Sequence, residues 1–293
     1  MEATLRNLVR ALGRVFPDCV TLSQAIAFNM FLAFFPLLLL ALGLLGGTSL
    51  FHDALKEIPD RLSLILPPGS FDVVAAYFVR KTANPWRWIL LGAGGTLIAG
   101  TQVMVGYIEG FRVIEGDLLR PGYWSRQFRA LCLLCITIIP MLSVVVLTVF
   151  GKQVRGWLTL HTRSAHLTHE LELTFYAIVV FVLAMGVLVL LYRIGRPGHP
   201  GYRDLLPGAV VATILWWAVD IFFGWYVRRM PYDAVYRGLA AAIGLLLWMF
   251  LTAMIVLLGA AYNAEAREAA LEARAAASGR PRPLTIHSSS ETS

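Results

Sequence analysis

LAAAIGLLLWMFLTAMIVLLGAAY, residues Leu239–Tyr262, runs the length of a membrane-crossing helix without one charged side chain. A helix needs about 20 apolar residues to cross about 30 Å of hydrocarbon, and this stretch supplies them. It does not alternate apolar with polar residues, as the shorter strands of a membrane barrel do. Five further runs share the pattern: Ile26–Gly47, Trp88–Gly110, Ala130–Gly151, Thr174–Tyr192 and Pro207–Val227. The expected fold is all-α, a polytopic bundle of six transmembrane helices. Trp86, Trp88, Tyr192, Tyr226 and Tyr262 fall near span ends, where interfacial aromatics are expected. Pro36 and Pro140 lie inside spans, and each is expected to kink its helix where neighbouring helices cover the freed carbonyl.

Composition agrees with this reading. The chain has 293 residues, 58% hydrophobic and only 15% charged, whereas a soluble domain carries about 25%. The net charge of +7 comes mostly from arginines at span ends, where they meet anionic headgroups, so lipid rather than nucleic acid is the expected partner. A second copy of the chain is left open as another. Cys132 and Cys135 sit in LCLLCIT with no electropositive, accessible setting to lower a thiol pKa, and are read as small core residues.

Outside the spans the chain divides into an N-terminal segment 1–25, the transmembrane domain 26–265 and a tail 266–293. In the first, Arg6, Arg10 and Arg14 recur once per turn beside Leu5, Leu8, Leu12 and Val15, the pattern of an amphipathic helix lying on the membrane. The loop Thr48–Arg87 reads as a small extracytoplasmic helical cap. The tail reads as a short charged helix to about Ala277 followed by a disordered end. Placing both termini in the cytoplasm puts more than half of the 25 Lys and Arg inside, as the positive-inside rule asks.

Few residues in the spans bear chemistry. On the second span, Gly92, Gly95, Ala99, Gln102, Gly106 and Glu109 form a stripe of small and polar residues. Such a stripe serves helix packing, and the competing reading is the wall of a polar crevice. Glu109 and Asp220 are the only carboxylates inside the spans. An intramembrane charge is costly and turns toward protein or water. Glu109 lies at the inner end of its span, while Asp220 sits deeper, in WWAVDIFFGW, with Thr213 and Gly224 on its face. The expectation is a site shared by Asp220, Gln102 and Asn29, with spans two and five turning polar lines toward each other. His161, His166 and His169 lie in the presumed loop Lys152–Leu173 at spacings that match no standard metal site. No Walker loop, dinucleotide glycine motif or GxSxG elbow occurs, so neither a cofactor nor a metal is expected.

Two stretches carry a family resemblance. AFNMFLAFFPLLLL (27–40) has an aromatic pair, small residues and then Phe-Pro-Leu-Leu. YDAVYRGLAAAIGLLLWMFLTAMIVLLGAAYNAE (232–265) has Tyr–x3–Tyr, Gly-Leu-Ala, a Trp in a leucine run and Leu-Gly-Ala-x-x-Asn-Ala-Glu. The chain resembles the YihY / virulence factor BrkB family of bacterial inner-membrane proteins, once named ribonuclease BN. The matched positions are Phe35, Pro36, Tyr232, Tyr236, Gly238, Trp248, Gly259, Asn263 and Glu265. The resemblance implies the bacterial cytoplasmic membrane and names no catalytic residues. Its old name implies a metal-dependent phosphodiesterase, which the missing ligand cluster argues against. The expected function is a transporter or lipid translocator with a polar intramembrane site, and the alternative is a non-catalytic membrane scaffold.

Overall fold

The structure, a computed structural model, describes residues 13, 18–45, 85–117, 122–138, 165–196, 201–229 and 237–278. These form six helices: α1 (Asp18–Leu45), α2 (Pro85–Glu115), α3 (123–138), α4 (Ala165–Gly195), α5 (Tyr202–Arg229) and α6 (Arg237–Ala277). No strand occurs among the described residues. Within α1, α2, α5 and α6 lie four stretches long and apolar enough to cross a membrane, and α4 holds a shorter apolar stretch, Phe181–Gly195. Side chains such as Phe35, Ile98, Ile214, Ile221 and Phe222 face outward. In water that apolar surface would be costly; in a bilayer it meets its solvent.

Local sequence explains where several helices start and stop. Pro85 opens α2, at the position where a missing N–H costs nothing. The helix ends at Gly116, whose φ of 66° only glycine adopts readily. There Gly116 N–H donates to Val113 O and Asp117 N–H to Arg112 O, both at 3.1 Å, the paired bonds of a Schellman cap. That turn also brings Asp117 back over Arg112. The 41 residues of α6 span about 60 Å at 1.5 Å per residue, about twice the hydrocarbon thickness. The sixth span and the charged segment expected after it are therefore one continuous helix.

α6 sits at the centre, packed against α1, α2 and α5; α1 also packs on α2, and α5 on α4. The core where they meet includes Ile26, Phe111, Leu133, Tyr192 and Leu257. The glycine stripe is the α1–α2 contact. A Cβ added at Gly92 would lie 2.6 Å from Leu40 N, at Gly95 2.7 Å from Pro36 Cβ, and at Gly106 2.6 Å from Ile26 Cγ1. Small residues here let two backbones approach, and the second helix leaves room for the Pro36 ring.

Three expectations change. The helices carrying Gln102 and Asp220 are not among the closely packed pairs; α6 is the helix that each of them packs against. Residues 165–173 begin α4 rather than extending a loop, so His166 and His169 lie on a helix. Tyr192 and Tyr262, expected at an interface, are buried. Tyr192 donates to Val256 O at 2.9 Å and meets the Phe111 ring edge-on. The amphipathic segment, the loop Thr48–Asn84, the end of the third span with Pro140, His161, Tyr232, Tyr236 and the end of the tail lie outside the described residues.

Candidate functional site

Two polar constellations stand out, one at an end of the bundle and one along the α5–α6 seam. The first gathers where α2 ends. Glu115 is ion-paired with Arg196, which follows α4, and with Arg267 of α6 at 2.9 Å. A turn earlier, Arg112 Nη1 donates to Glu109 Oε2 at 3.0 Å, and Arg126 of α3 comes within 3.9 Å of the same oxygen. Arg112 Nη2 also donates to Asp117 O at 3.1 Å, a bond the Schellman turn makes possible. Arg112, Arg196 and Glu115 are nearly inaccessible. Nearby, the Arg193 guanidinium lies 3.8 Å from the centre of the Tyr202 ring. Arginines and carboxylates from α2, α3, α4 and α6 thus lock one end of the bundle. Burial makes each partner depend on the other, because either charge left alone pays its full desolvation cost.

The α5–α6 seam begins near that end. Pro207 lies inside α5, where it removes one helical hydrogen bond and crowds the preceding turn. The buried Asn263 of α6 bridges this weak point: Gly208 N–H donates to its Oδ1 at 2.7 Å, and its Nδ2 donates to Leu205 O at 3.0 Å. Close approach makes the bridge possible. A Cβ at Gly208 would strike Gly259 O, and one at Gly259 would lie 2.7 Å from Gly208 O. Further along the antiparallel pair, Trp248 Nε1 donates to Asp220 Oδ1 at 2.7 Å. Asp220 and Trp248 are half-buried, while Ile221, Phe222 and Leu247 beside them face outward. The carboxylate therefore sits in the seam on its lipid-facing side.

The residues singled out in the sequence are dispersed by this geometry. Asp220 meets Trp248, a pairing of the intramembrane carboxylate with a family-motif tryptophan that spacing alone did not give. Glu109 belongs to the arginine cluster at the bundle end. Thr213 is fully buried and donates to Ala209 O at 2.7 Å, so it serves its own helix. Gln102 and Asn29 are half-buried, and no side-chain hydrogen bond of either occurs among the described residues. Of the family-motif positions, Pro36, Trp248, Gly259 and Asn263 make contacts between helices, Phe35 faces outward, Gly238 lies in the first turn of α6, and Glu265 is half-buried immediately before the charged segment. Glu115, Arg112, Arg196 and Arg267 were missed as a site. Their signal was present as charges at span ends, used only to orient the chain. Among the described residues no group of three His, Cys, Asp or Glu is placed to hold a metal ion.

The profile of the virulence factor BrkB family matches residues 16–283. The chain belongs to this family. Similar proteins include a UPF0761 membrane protein of Alkalilimnicola ehrlichii, 25% identical over 269 residues, which cover 89% of this BrkB-family chain and 58% of that protein. The UPF0761 membrane protein YihY of Salmonella typhimurium is 27% identical over 215 residues, 72% of this chain and 70% of its own. A protein of Bacillus subtilis named YfkH and described as ribonuclease-like is 24% identical over 249 residues, 83% and 88% of the two chains. The chain spans about half the length of several curated relatives, from 42% to 63% of three of them. No solved structure matches it. The BrkB-family motif that ends in Asn-Ala-Glu is, in this fold, the α6 side of the seam with α5.

Proposed function

We propose that this chain is a translocator of the bacterial cytoplasmic membrane that moves an amphipathic, lipid-borne substrate, with Asp220 as its working group inside the bilayer. The observation that carries this reading is the placement of Asp220. An ionised carboxylate has about four acceptor positions, and the described contacts of Asp220 use one oxygen, for the Trp248 indole. An intramembrane carboxylate is a functional candidate by default. Its neighbours on the outer surface are lipid-facing, so a headgroup sliding along the seam reaches it without crossing the protein. The arginine cluster supports a cytoplasmic placement of the bundle end where α2 finishes, with both termini on that side.

The scaffold reading draws on the same seam, since Asn263 shows that a polar side chain there can serve structure alone. Nuclease chemistry receives no support from the site: the clustered carboxylates are held by arginines rather than by each other or by histidines. The test is headgroup-labelled phospholipid in proteoliposomes, bleached from outside with dithionite. Wild-type protein is expected to expose label from the inner leaflet, and Asp220→Ala to expose much less while remaining folded. Bleaching no greater than in protein-free vesicles would overturn the translocator reading.

A further inference from the structure

Between the Asn263 bridge and the Asp220–Trp248 pair, α5 and α6 each carry one buried polar atom without a hydrogen-bond partner among the described residues, Trp216 Nε1 and Thr252 Oγ1. Trp216 lies on α5 one turn from Ala212, which packs on Gly259, and one turn from Asp220. Thr252 lies on α6 one turn from Trp248. The register that sets Gly208 beside Gly259 and Asp220 beside Trp248 therefore brings Trp216 and Thr252 to the same level.

Thr252 departs from the habit of its neighbours. Ser23, Thr101, Thr137 and Thr213 each donate to the carbonyl one turn back, at 2.7, 2.5, 2.9 and 2.7 Å, the usual resolution for a hydroxyl in a membrane helix. Thr252 makes no such bond, and neither does Thr96 on α2. Of these two, Thr252 has an orphaned donor at its level across the seam. A buried polar group without a partner costs about 1–3 kcal/mol, so two at one level call for a shared ligand.

The donor set defines that ligand. Trp216 offers only an N–H and needs an acceptor; the second oxygen of Asp220 needs a donor; Thr252 takes either. An anion would be repelled by Asp220, and a bare cation would leave the indole N–H unsatisfied. Water answers all three. We propose that the seam holds bound water that links Trp216 and Thr252 to Asp220 within the membrane. A helical turn is about 5.4 Å, a span that one or two waters bridge. Such water would hydrate the second Asp220 oxygen within the membrane without opening the bundle. This deepens the translocator reading and rests on it for purpose only, because hydration is measurable without any transport.

Two measurements in nanodiscs test it. In a chain with Cys19, Cys132 and Cys135 replaced by alanine, Thr252→Cys is compared with Leu247→Cys, whose site is 42% exposed on the outer, lipid-facing surface. Maleimide attacks only thiolate, which forms in contact with water, so Thr252→Cys is expected to react at least tenfold faster. Thr252→Val and Trp216→Phe are each expected to lower the unfolding temperature, because they strip bonds from held water. Equal or slower labelling at Thr252→Cys, or a higher unfolding temperature for either apolar variant, means a dry seam and overturns the proposal. Lipid translocation with a dry seam would leave the proposed function standing and remove only the water.

Discussion

Asn263 shows what single residues do in this molecule. Its amide supplies an acceptor to Gly208 and a donor to Leu205 at the point where Pro207 weakens α5. Replacing it with alanine removes two buried hydrogen bonds between helices, at about 1 kcal/mol each. Asn263→Ala is therefore expected to unfold at clearly lower temperature in nanodiscs; an unchanged unfolding temperature would remove the bridge from the account. The sequence marked Asn263 only through family resemblance, because nothing in its own helix tells that its partners lie on the preceding one. Asp220 was legible for the opposite reason. A carboxylate among tryptophans, isoleucines and phenylalanines stands out by cost alone, yet its partner did not, since spacing places a residue on a face without saying which helix the face meets.

At the scale of elements, small residues decide which helices touch. Gly94 and Gly95 are adjacent on α2 but differ sharply in surroundings. A Cβ at Gly95 would meet Pro36 at 2.7 Å, whereas one at Gly94 meets nothing within 4 Å. Gly95→Ala is expected to destabilise by about 1–3 kcal/mol through overpacking. Gly94→Ala is expected to be neutral or stabilising by up to about 1 kcal/mol from helix propensity. Unfolding curves of the two variants check the contrast directly. The stripe itself was readable from its spacing, and so was its service in packing. Its partner was not: the stripe receives α1, so Gln102 lies across from the first span instead of beside Asp220. The start of α4 was also hidden, because the polar residues of 165–173 resemble a loop until the helix that continues them is seen.

The whole molecule is fastened at one end by charge and along its length by apolar packing. Glu115 joins α2 to Arg196 and Arg267, and its burial makes it the stronger lock. Glu115→Gln is expected to cost about 3–5 kcal/mol, as breaking a buried pair does. Glu109→Gln, whose side chain is 28% exposed and whose buried partner Arg112 keeps its contacts with Asp117, is expected to cost less, about 1.5–3 kcal/mol. Comparable losses for both would contradict the distinction. The proposed orientation, with the arginine-rich end in the cytoplasm, is open to labelling. A cysteine at position 290 is expected to stay silent to impermeant reagent in intact cells, and one at position 70 to react; the reverse pattern would invert the bundle.

The translocator reading turns on whether the charge of Asp220 or its bond to Trp248 is what the protein uses, and two variants separate these. Asp220→Asn keeps an acceptor for the indole and removes the charge, while Trp248→Phe removes the donor and keeps the charge. In the dithionite assay, with folding verified for both, Asp220→Asn is predicted to lose at least tenfold in lipid translocation and Trp248→Phe to retain most of it. Full translocation by Asp220→Asn together with its loss in Trp248→Phe would contradict the account and make the pair a structural clamp.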